Sequence, residues 1–149
     1  MAMSMKTSTL FKARQEHIEQ LNDDLASHLE AKDFGKFAQL VMRDSNQLHA
    51  ICLDTYPPIH YMNKHTHSII SLCSRKINTD PAQPKVCYSV DAGFHIMLFC
   101  LKSDLQLVKE TLVENLGEAA PEGQPWFAGI GCLERIIETN IARQGTEIL

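Results

Sequence analysis

The spacing of apolar residues changes partway along this sequence, and that change constrains the fold more than any other feature. From residue 10 to about residue 77 the apolar residues recur at three- and four-residue steps, which is typical of amphipathic helices. Residues 86–90 and 94–101 are instead short apolar runs rich in β-branched and aromatic residues, separated by Asp91-Ala92-Gly93. Helices followed by a hairpin predict an α+β fold, with helices packed on one face of a small antiparallel sheet.

Two long helices are predicted in the first third of the chain. The first runs from Leu10 to about Leu29, and Thr7 or Ser8 can cap its start. Asp33 suits the N-cap of the second helix. The residues expected on the buried face of this second helix are Phe34, Phe37, Val41, Leu48 and Cys52.

Prolines and a capping box indicate where two further helices begin. Residues 55–58, Thr-Tyr-Pro-Pro, end the second helix and place Pro58 in the first turn of a third helix that reaches about Ile77. Residues 103–106, Ser-Asp-Leu-Gln, form a capping-box pattern that opens a helix over 104–116, with Gly117 as its C-terminal cap.

The chain length fits one domain of ordinary size. Of the 149 residues, we expect 1–5 to be a linker or added residues and 6–149 to form a single domain. The C-terminal pattern leaves alternatives open: residues 126–133 could form a strand, and residues 134–143 a helix.

Charge and hydropathy exclude several classes of partner. Lys and Arg number 14 against 18 Asp and Glu, a net charge of -4, which argues against broad binding of nucleic acid or acidic membranes. No run approaches the ~20 apolar residues that span a bilayer. The start, MAMSMKTST, is not a signal peptide. We therefore expect a cytoplasmic protein with no nucleic-acid or membrane partner.

The cysteines and histidines predict neither disulfides nor a metal site. The five cysteines are an odd number without C-x-x-C spacing, so we expect buried, inert thiols in a reducing compartment: Cys52, Cys73, Cys87, Cys100 and Cys132. His60, His65 and His67 cluster ahead of Cys73, but their spacing does not put three ligands on one helical face.

Two segments are candidates for chemistry. Asp91 follows an apolar strand and precedes a glycine turn, where a carboxylate could accept a proton from a substrate hydroxyl, or could simply form an Asx turn. Residues 44–49, Asp-Ser-Asn-Gln-Leu-His, are unusually polar for the middle of an amphipathic helix. They face either solvent and a neighbouring helix or a ligand cleft, which makes Ser45, Asn46 and His49 cleft candidates together with Gly93.

The same two segments resemble a known family. Residues 37–59, FAQLVMRDSNQLHAICLDTYPPI, closely resemble a stretch of the eukaryotic diphosphomevalonate decarboxylases, and Val90-Asp91-Ala92-Gly93 resembles that family's D-A-G strand-turn-strand. The resemblance covers roughly residues 5–116. The D-S-N-Q…P-P match is highly specific, whereas D-A-G alone would be weak.

The resemblance implies a fold and a reaction. The family belongs to the kinase-like superfamily of galactokinase, homoserine kinase, mevalonate kinase and phosphomevalonate kinase (the GHMP kinases), whose members have two domains. This chain resembles the C-terminal domain, so ATP and Mg2+ would be bound mainly by the absent N-terminal domain, its first partner. The substrate would be mevalonate 5-diphosphate, converted with ATP to isopentenyl diphosphate, ADP, phosphate and CO2. Asp91 would take the role of the catalytic aspartate, with Ser45, Asn46, His49 and Gly93 in the substrate cleft, and no metal ligand is expected within the chain.

The resemblance also has consequences for the isolated chain. The intact enzyme would be a homodimer, and the chain by itself would be inactive, since it has neither G-x-x-x-x-G-K-[ST] nor G-x-G-x-x-G. The family usually continues D-A-G-P-N, whereas this chain has Phe94-His95 in place of Pro-Asn. A second hypothesis, a diverged or truncated non-catalytic α+β domain that acts as a binding module, therefore stays open beside the decarboxylase.

Overall fold

The structure is a computed structural model that describes residues 2–117, 133 and 136–140. The chain divides into two compact units, residues 1–112 and 113–149. In chain order its elements are α1 (Ala2–Thr7), α2 (Leu10–Glu30), α3 (Phe34–Asp54), α4 (Lys64–Leu72) with a π-helical turn at Cys73–Ile77, β1 (Val86–Val90), β2 (Ile96–Cys100) and α5 (Leu105–Leu116).

The α+β prediction is confirmed: the described residues are rich in helix and contain a two-stranded antiparallel sheet. None of the described helices is both long and apolar enough to cross a membrane. Of the C-terminal alternatives, Leu133 and residues 136–140 have no regular secondary structure, and the other residues of 126–143 lie outside the described residues.

Helix α3 is the central element, because it packs against both α2 and β1. As predicted, Asp33 caps it, with Oδ1 accepting a hydrogen bond of 3.1 Å from the Lys36 N–H. Its fully buried positions are mostly small or polar: Ala38, Ser45, His49, Ile51 and Cys52. Of the predicted buried face only Cys52 is fully buried, whereas Phe34, Phe37, Val41 and Leu48 are half-buried.

The third helix begins later than the prolines predicted. Residues 57–63 are not helical, and α4 begins at Lys64. The reason is Asn63, whose Oδ1 accepts hydrogen bonds from the backbone N–H groups of His65 (2.9 Å) and Thr66 (3.0 Å). Thr66 Oγ1 in turn accepts from the Asn63 N–H at 3.4 Å, which completes a reciprocal cap. The end of this segment at Ile77 agrees with the prediction.

The hairpin agrees closely with the sequence pattern. β1 is the predicted strand 86–90, and β2 occupies 96–100 within the predicted 94–101. Their register pairs Val86 with Cys100 and Val90 with Ile96. Helix α5 also lies where predicted, and just before it Ser103 Oγ donates to Asp104 Oδ2 at 3.2 Å.

The chain's first residues form a packed helix. Residues 2–5, for which we expected a linker, lie in α1, and Ser4 is fully buried. The hydroxyl of Thr55, at the end of α3, donates to Ser4 Oγ at 2.9 Å. That residues 6–149 form one domain stays a prediction.

The start of α2 is capped from another helix. Neither predicted cap is used: Thr7 belongs to α1, and the Ser8 hydroxyl donates to Asp54 Oδ2 at 2.7 Å. That same carboxylate oxygen accepts from Thr9 Oγ1 (3.3 Å) and from the Leu10 N–H (3.2 Å). The Asp54 side chain therefore satisfies groups at the N-terminus of α2, where a negative charge is favourable.

This cap predicts a pH-dependent stability. The hydrogen bond from Ser8, followed by that from the Leu10 N–H, lowers the pKa of Asp54 below its ordinary value of 3.8. A carboxyl whose pKa is depressed by folding stabilises the protein above the unfolded value and loses that contribution as the pH falls through the folded value. We expect Asp54→Asn to lower the melting temperature near neutral pH, and the difference from the wild type to shrink as the pH falls below 3.8.

Thermal unfolding followed by circular dichroism across that pH range provides the measurement. Asp23→Asn, the same change at an exposed position of α2, is the control and should leave the melting temperature nearly unchanged. A constant difference between Asp54→Asn and wild type at every pH would contradict the charged cap.

Candidate active site

A cavity of about 450 Å3 lies where β1 ends and β2 begins. One wall is the middle of α3, and the other is the hairpin turn. The cavity is lined by Asp44, Ser45, Leu48, residues 89–93 and residues 95–97. The two sequence segments singled out for chemistry therefore meet in the fold.

Asp91 lies on this cavity with its side chain exposed. Its Oδ1 accepts a 2.8 Å hydrogen bond from the N–H of the next residue, Ala92. This local turn bond differs from the predicted Asx turn, which would use the N–H two residues on. None of the described residues donates a hydrogen bond to Oδ2. The turn bond fixes one carboxylate oxygen, and the other is available to a ligand in the cavity.

The turn after Asp91 requires glycine. Gly93 has a φ of 151°, a conformation that residues with a Cβ rarely adopt, and a Cβ there would meet nothing within 4 Å. The glycine is therefore needed for its backbone and not to avoid a clash. The Thr66 hydroxyl donates to the Phe94 carbonyl oxygen at 2.8 Å and so ties the turn to α4.

The polar stretch of α3 divides between two roles. Ser45 and His49 are buried, and both bind the backbone of Val90: Ser45 Oγ accepts from the Val90 N–H at 2.9 Å, and His49 Nε2 lies 3.0 Å from the Val90 carbonyl oxygen. Asn46 is exposed, and its Oδ1 accepts from the Tyr88 hydroxyl at 3.1 Å.

The structure thus brings together some of the predicted site residues. Asp91, Ser45 and Gly93 line one cavity, whereas Asn46 and His49 are not among its lining residues. Contact of any of these residues with a substrate stays a prediction.

Sequence reasoning missed Asp44 and its partner. Asp44 Oδ1 lies 2.7 Å from Arg14 Nη1 of α2, while Arg14 Nη1 donates a hydrogen bond to Gln47 Oε1 at 2.9 Å. Asp44 Oδ1 thus has an ion-pair contact but no hydrogen bond from the described residues. Asp44 opens the polar stretch and could have been singled out from the sequence. Arg14 could not, because only the packing of α2 on α3 brings it there.

Burial makes two of the cysteine thiols unreactive. Cys52, Cys73 and Cys87 are buried and free, as predicted, whereas Cys100 is half-buried and Cys132 lies outside the described residues. Burial raises the pKa of Cys73 and of Cys87 to about 12. Thiolates are the reactive form of cysteine, so these two are inert near neutral pH. Among the described residues, no group of three or more His, Cys, Asp or Glu side chains could hold a metal ion.

Comparison with known proteins points to one family. Residues 1–141 match the family model described as the mevalonate 5-diphosphate decarboxylase C-terminal domain. A diphosphomevalonate decarboxylase of Rattus norvegicus is 45% identical over 103 residues, which cover 68% of this chain and 25% of that protein. The chain therefore spans about a quarter of this relative's length.

Solved structures agree with the match. The mevalonate diphosphate decarboxylase of Trypanosoma brucei is 32% identical with a TM-score of 0.72, over 76% of this chain and 30% of that one. A structure of the Enterococcus faecalis enzyme, whose name refers to mevalonate-diphosphate-mediated ATP binding, is 18% identical with a TM-score of 0.66. The match covers 76% of this chain and 35% of that one, and at this identity it shows the fold alone. A further structure, a complex with an ATP analogue and magnesium, is 18% identical with a TM-score of 0.65. That match covers 76% of this chain and 34% of the other and likewise shows the fold alone.

The turn geometry yields a testable prediction. Gly93→Ala places a Cβ on a backbone conformation that disfavours it, and we expect a loss of about 1–2 kcal/mol in the free energy of unfolding. Gly35→Ala is the matched control, because Gly35 lies in α3 and a Cβ there would come no closer than 3.4 Å to another atom, the Ala82 carbonyl oxygen. In a helix this change is expected to stabilise by about 0.5–1 kcal/mol.

Urea unfolding of the two variants checks the prediction. Equal stability of Gly93→Ala and the wild type would show that the turn tolerates a side chain, which contradicts a positive φ at Gly93.

Proposed function

Because the chain belongs to the mevalonate 5-diphosphate decarboxylase C-terminal domain family, we propose that it works as the C-terminal domain of an ATP-dependent carboxy-lyase. The reaction would convert mevalonate 5-diphosphate and ATP to isopentenyl diphosphate, ADP, phosphate and CO2. The single observation that supports this proposal best is the exposed Asp91 carboxylate on a cavity at the end of β1. The family match supports the decarboxylase over a non-catalytic binding module.

Asp91 would act on the 3-hydroxyl of the substrate. An ionised carboxylate within hydrogen-bond reach can orient this hydroxyl and take its proton as the oxygen receives the phosphoryl group from ATP. The phosphorylated oxygen then leaves as phosphate while CO2 is lost, and the electron pair of the breaking C–C bond forms the double bond. The Ala92 N–H holds Oδ1, so the carboxylate would meet the hydroxyl in one orientation.

Binding of the nucleotide would fall mainly to residues beyond this chain. The sequence contains neither G-x-x-x-x-G-K-[ST] nor G-x-G-x-x-G, the glycine-rich phosphate-binding motifs. The chain also spans about a quarter of the length of the Rattus norvegicus relative. The described residues offer no cluster that fits Mg2+, so we assign no step to a metal held by this chain. We expect the isolated chain not to turn over ATP. Pairing with an N-terminal domain, a homodimeric assembly and a cytoplasmic location are further proposals that rest on the family.

Replacement of Asp91 tests the proposed role. Asp91→Asn keeps the size and the oxygen that accepts from the Ala92 N–H, but it removes the proton acceptor. In the full-length polypeptide that carries this chain, we expect kcat to fall by on the order of 10²–10⁴ with KM changed far less. The melting temperature should change little, because the turn bond survives.

Asp80→Asn is the matched control. Asp80 Oδ1 likewise accepts a short local bond from a backbone N–H, at 2.9 Å from that of Ala82, although Ala82 is two residues on and Ala92 is the residue next to Asp91. Asp80 does not line the cavity. This variant should keep wild-type kcat. An Asp91→Asn protein with normal kcat and a lowered melting temperature would refute the catalytic role and favour the binding module.

A further inference from the structure

We propose that Ser45 and His49 of α3 are positioning residues for Asp91, which they hold in place through the backbone of Val90. This inference rests on the proposed function, because it assigns a purpose to the placement of Asp91. It also changes the meaning of the polar stretch in α3, whose buried members would serve the strand end and not the substrate directly.

Two side chains of α3 form hydrogen bonds with both the N–H and the carbonyl oxygen of Val90. Ser45 Oγ accepts from the Val90 N–H at 2.9 Å and lies 3.4 Å from its carbonyl oxygen, to which it donates. His49 Nε2 lies 3.0 Å from the same carbonyl oxygen. Because a carbonyl oxygen only accepts, Nε2 of His49 must carry the proton. We call these three hydrogen bonds the Val90 clamp.

The Val90 clamp supplies hydrogen bonds of the kind that a neighbouring strand would otherwise make. In an antiparallel pair, alternate residues direct their backbone groups away from the partner strand. Val86 and Val90 are four residues apart, so their outward groups lie along the same edge of β1. At the other end of this edge, Asn78 Nδ2 donates to the Val86 carbonyl oxygen (2.8 Å) and Asn78 Oδ1 accepts from the Val86 N–H (3.1 Å). Side chains therefore fix both ends of β1.

Burial makes the Val90 clamp persistent. Ser45 is 3% and His49 4% exposed, and Val90 is 1% exposed. Loss of the Ser45 hydroxyl would leave the buried Val90 N–H without its acceptor, and loss of His49 would leave the carbonyl oxygen with only the longer 3.4 Å bond from Ser45. The ring of Tyr61 lies edge-on to the His49 ring, with the ring centroids 6.3 Å apart. Water competes poorly for such bonds, so the strand end has one position.

The position of Val90 determines the position of Asp91. Adjacent Cα atoms are about 3.8 Å apart, so a shift of Val90 moves the next residue with it. A displacement of about 1 Å at a reacting group is enough to cost on the order of 100-fold in rate. Ser45 lines the cavity beside Asp91, but its hydroxyl is bonded to Val90.

Three variants of the full-length polypeptide test the Val90 clamp. Ser45→Ala removes the acceptor for the Val90 N–H, His49→Leu removes the shorter of the two hydrogen bonds to its carbonyl oxygen, and His49→Gln retains a side-chain N–H donor. We expect the first two to lower kcat about 10- to 100-fold with KM nearly unchanged. Amide hydrogen exchange of the peptide 88–92 should be at least about tenfold faster in both. His49→Gln should recover most of kcat and of the protection.

Thr55→Val controls for loss of stability alone. Thr55, the C-cap residue of α3, is also buried, and its hydroxyl donates to Ser4 Oγ. It is ten residues beyond Ser45, or about 15 Å along the helix axis. This variant should have a lower melting temperature, wild-type kcat and normal exchange at 88–92. If Ser45→Ala and His49→Leu match it in kcat or in exchange, the positioning role is overturned.

The Asp91→Asn protein, assayed alongside, separates the two proposals. If Asp91→Asn is inactive while Ser45→Ala and His49→Leu are fully active, the Val90 clamp is overturned and the proposed function survives. If Asp91→Asn has wild-type kcat, the proposed catalytic role of Asp91 is overturned, and the positioning role with it.

Discussion

The outer edge of β1 must have its backbone N–H and C=O groups satisfied, and the rest of the structure depends on how this is done. The strand is almost fully buried, so water is not an adequate partner. The side chain of Asn78 forms hydrogen bonds with the backbone of Val86, and those of Ser45 and His49 form hydrogen bonds with the backbone of Val90. This need explains why α3 is polar on the face that it turns toward the sheet. It also explains why the turn that follows β1 begins at a fixed place, with Asp91 on the cavity.

Much of the fold could be predicted from local pattern. Helix α2 lies where its apolar periodicity indicated, although its predicted local caps are not used. For helix α3 with its Asp33 cap and for both strands, the apolar periodicity also agrees with the local capping and turn residues. The predicted start of α4 was wrong because the sequence contains two signals for the beginning of a helix. Pro58 fits a first helical turn, but Asn63 and Thr66 cap each other's backbone more completely five residues later.

The candidate site could be predicted only in part. Asp91 and Gly93 stand out because a strand followed by an aspartate and a glycine is a local pattern. The roles of Ser45 and His49 depend on Val90, more than forty residues away along the chain. The contact of Arg14 with Asp44 likewise arises only when α2 packs on α3. The capping of α2 by Asp54 was missed for the same reason, since the cap comes from another helix.

The central claim is that the Val90 clamp acts through Asp91, and a double-mutant cycle tests it most directly. The measurement is kcat of the full-length polypeptide with His49→Leu, with Asp91→Asn, and with both. If His49 serves only to place the Asp91 carboxylate, its replacement loses its effect once that carboxylate is gone, and the double variant should lie within about twofold of Asp91→Asn. If instead the two losses multiply, with the double variant a further tenfold or so below Asp91→Asn, His49 acts independently of Asp91 and the account is contradicted.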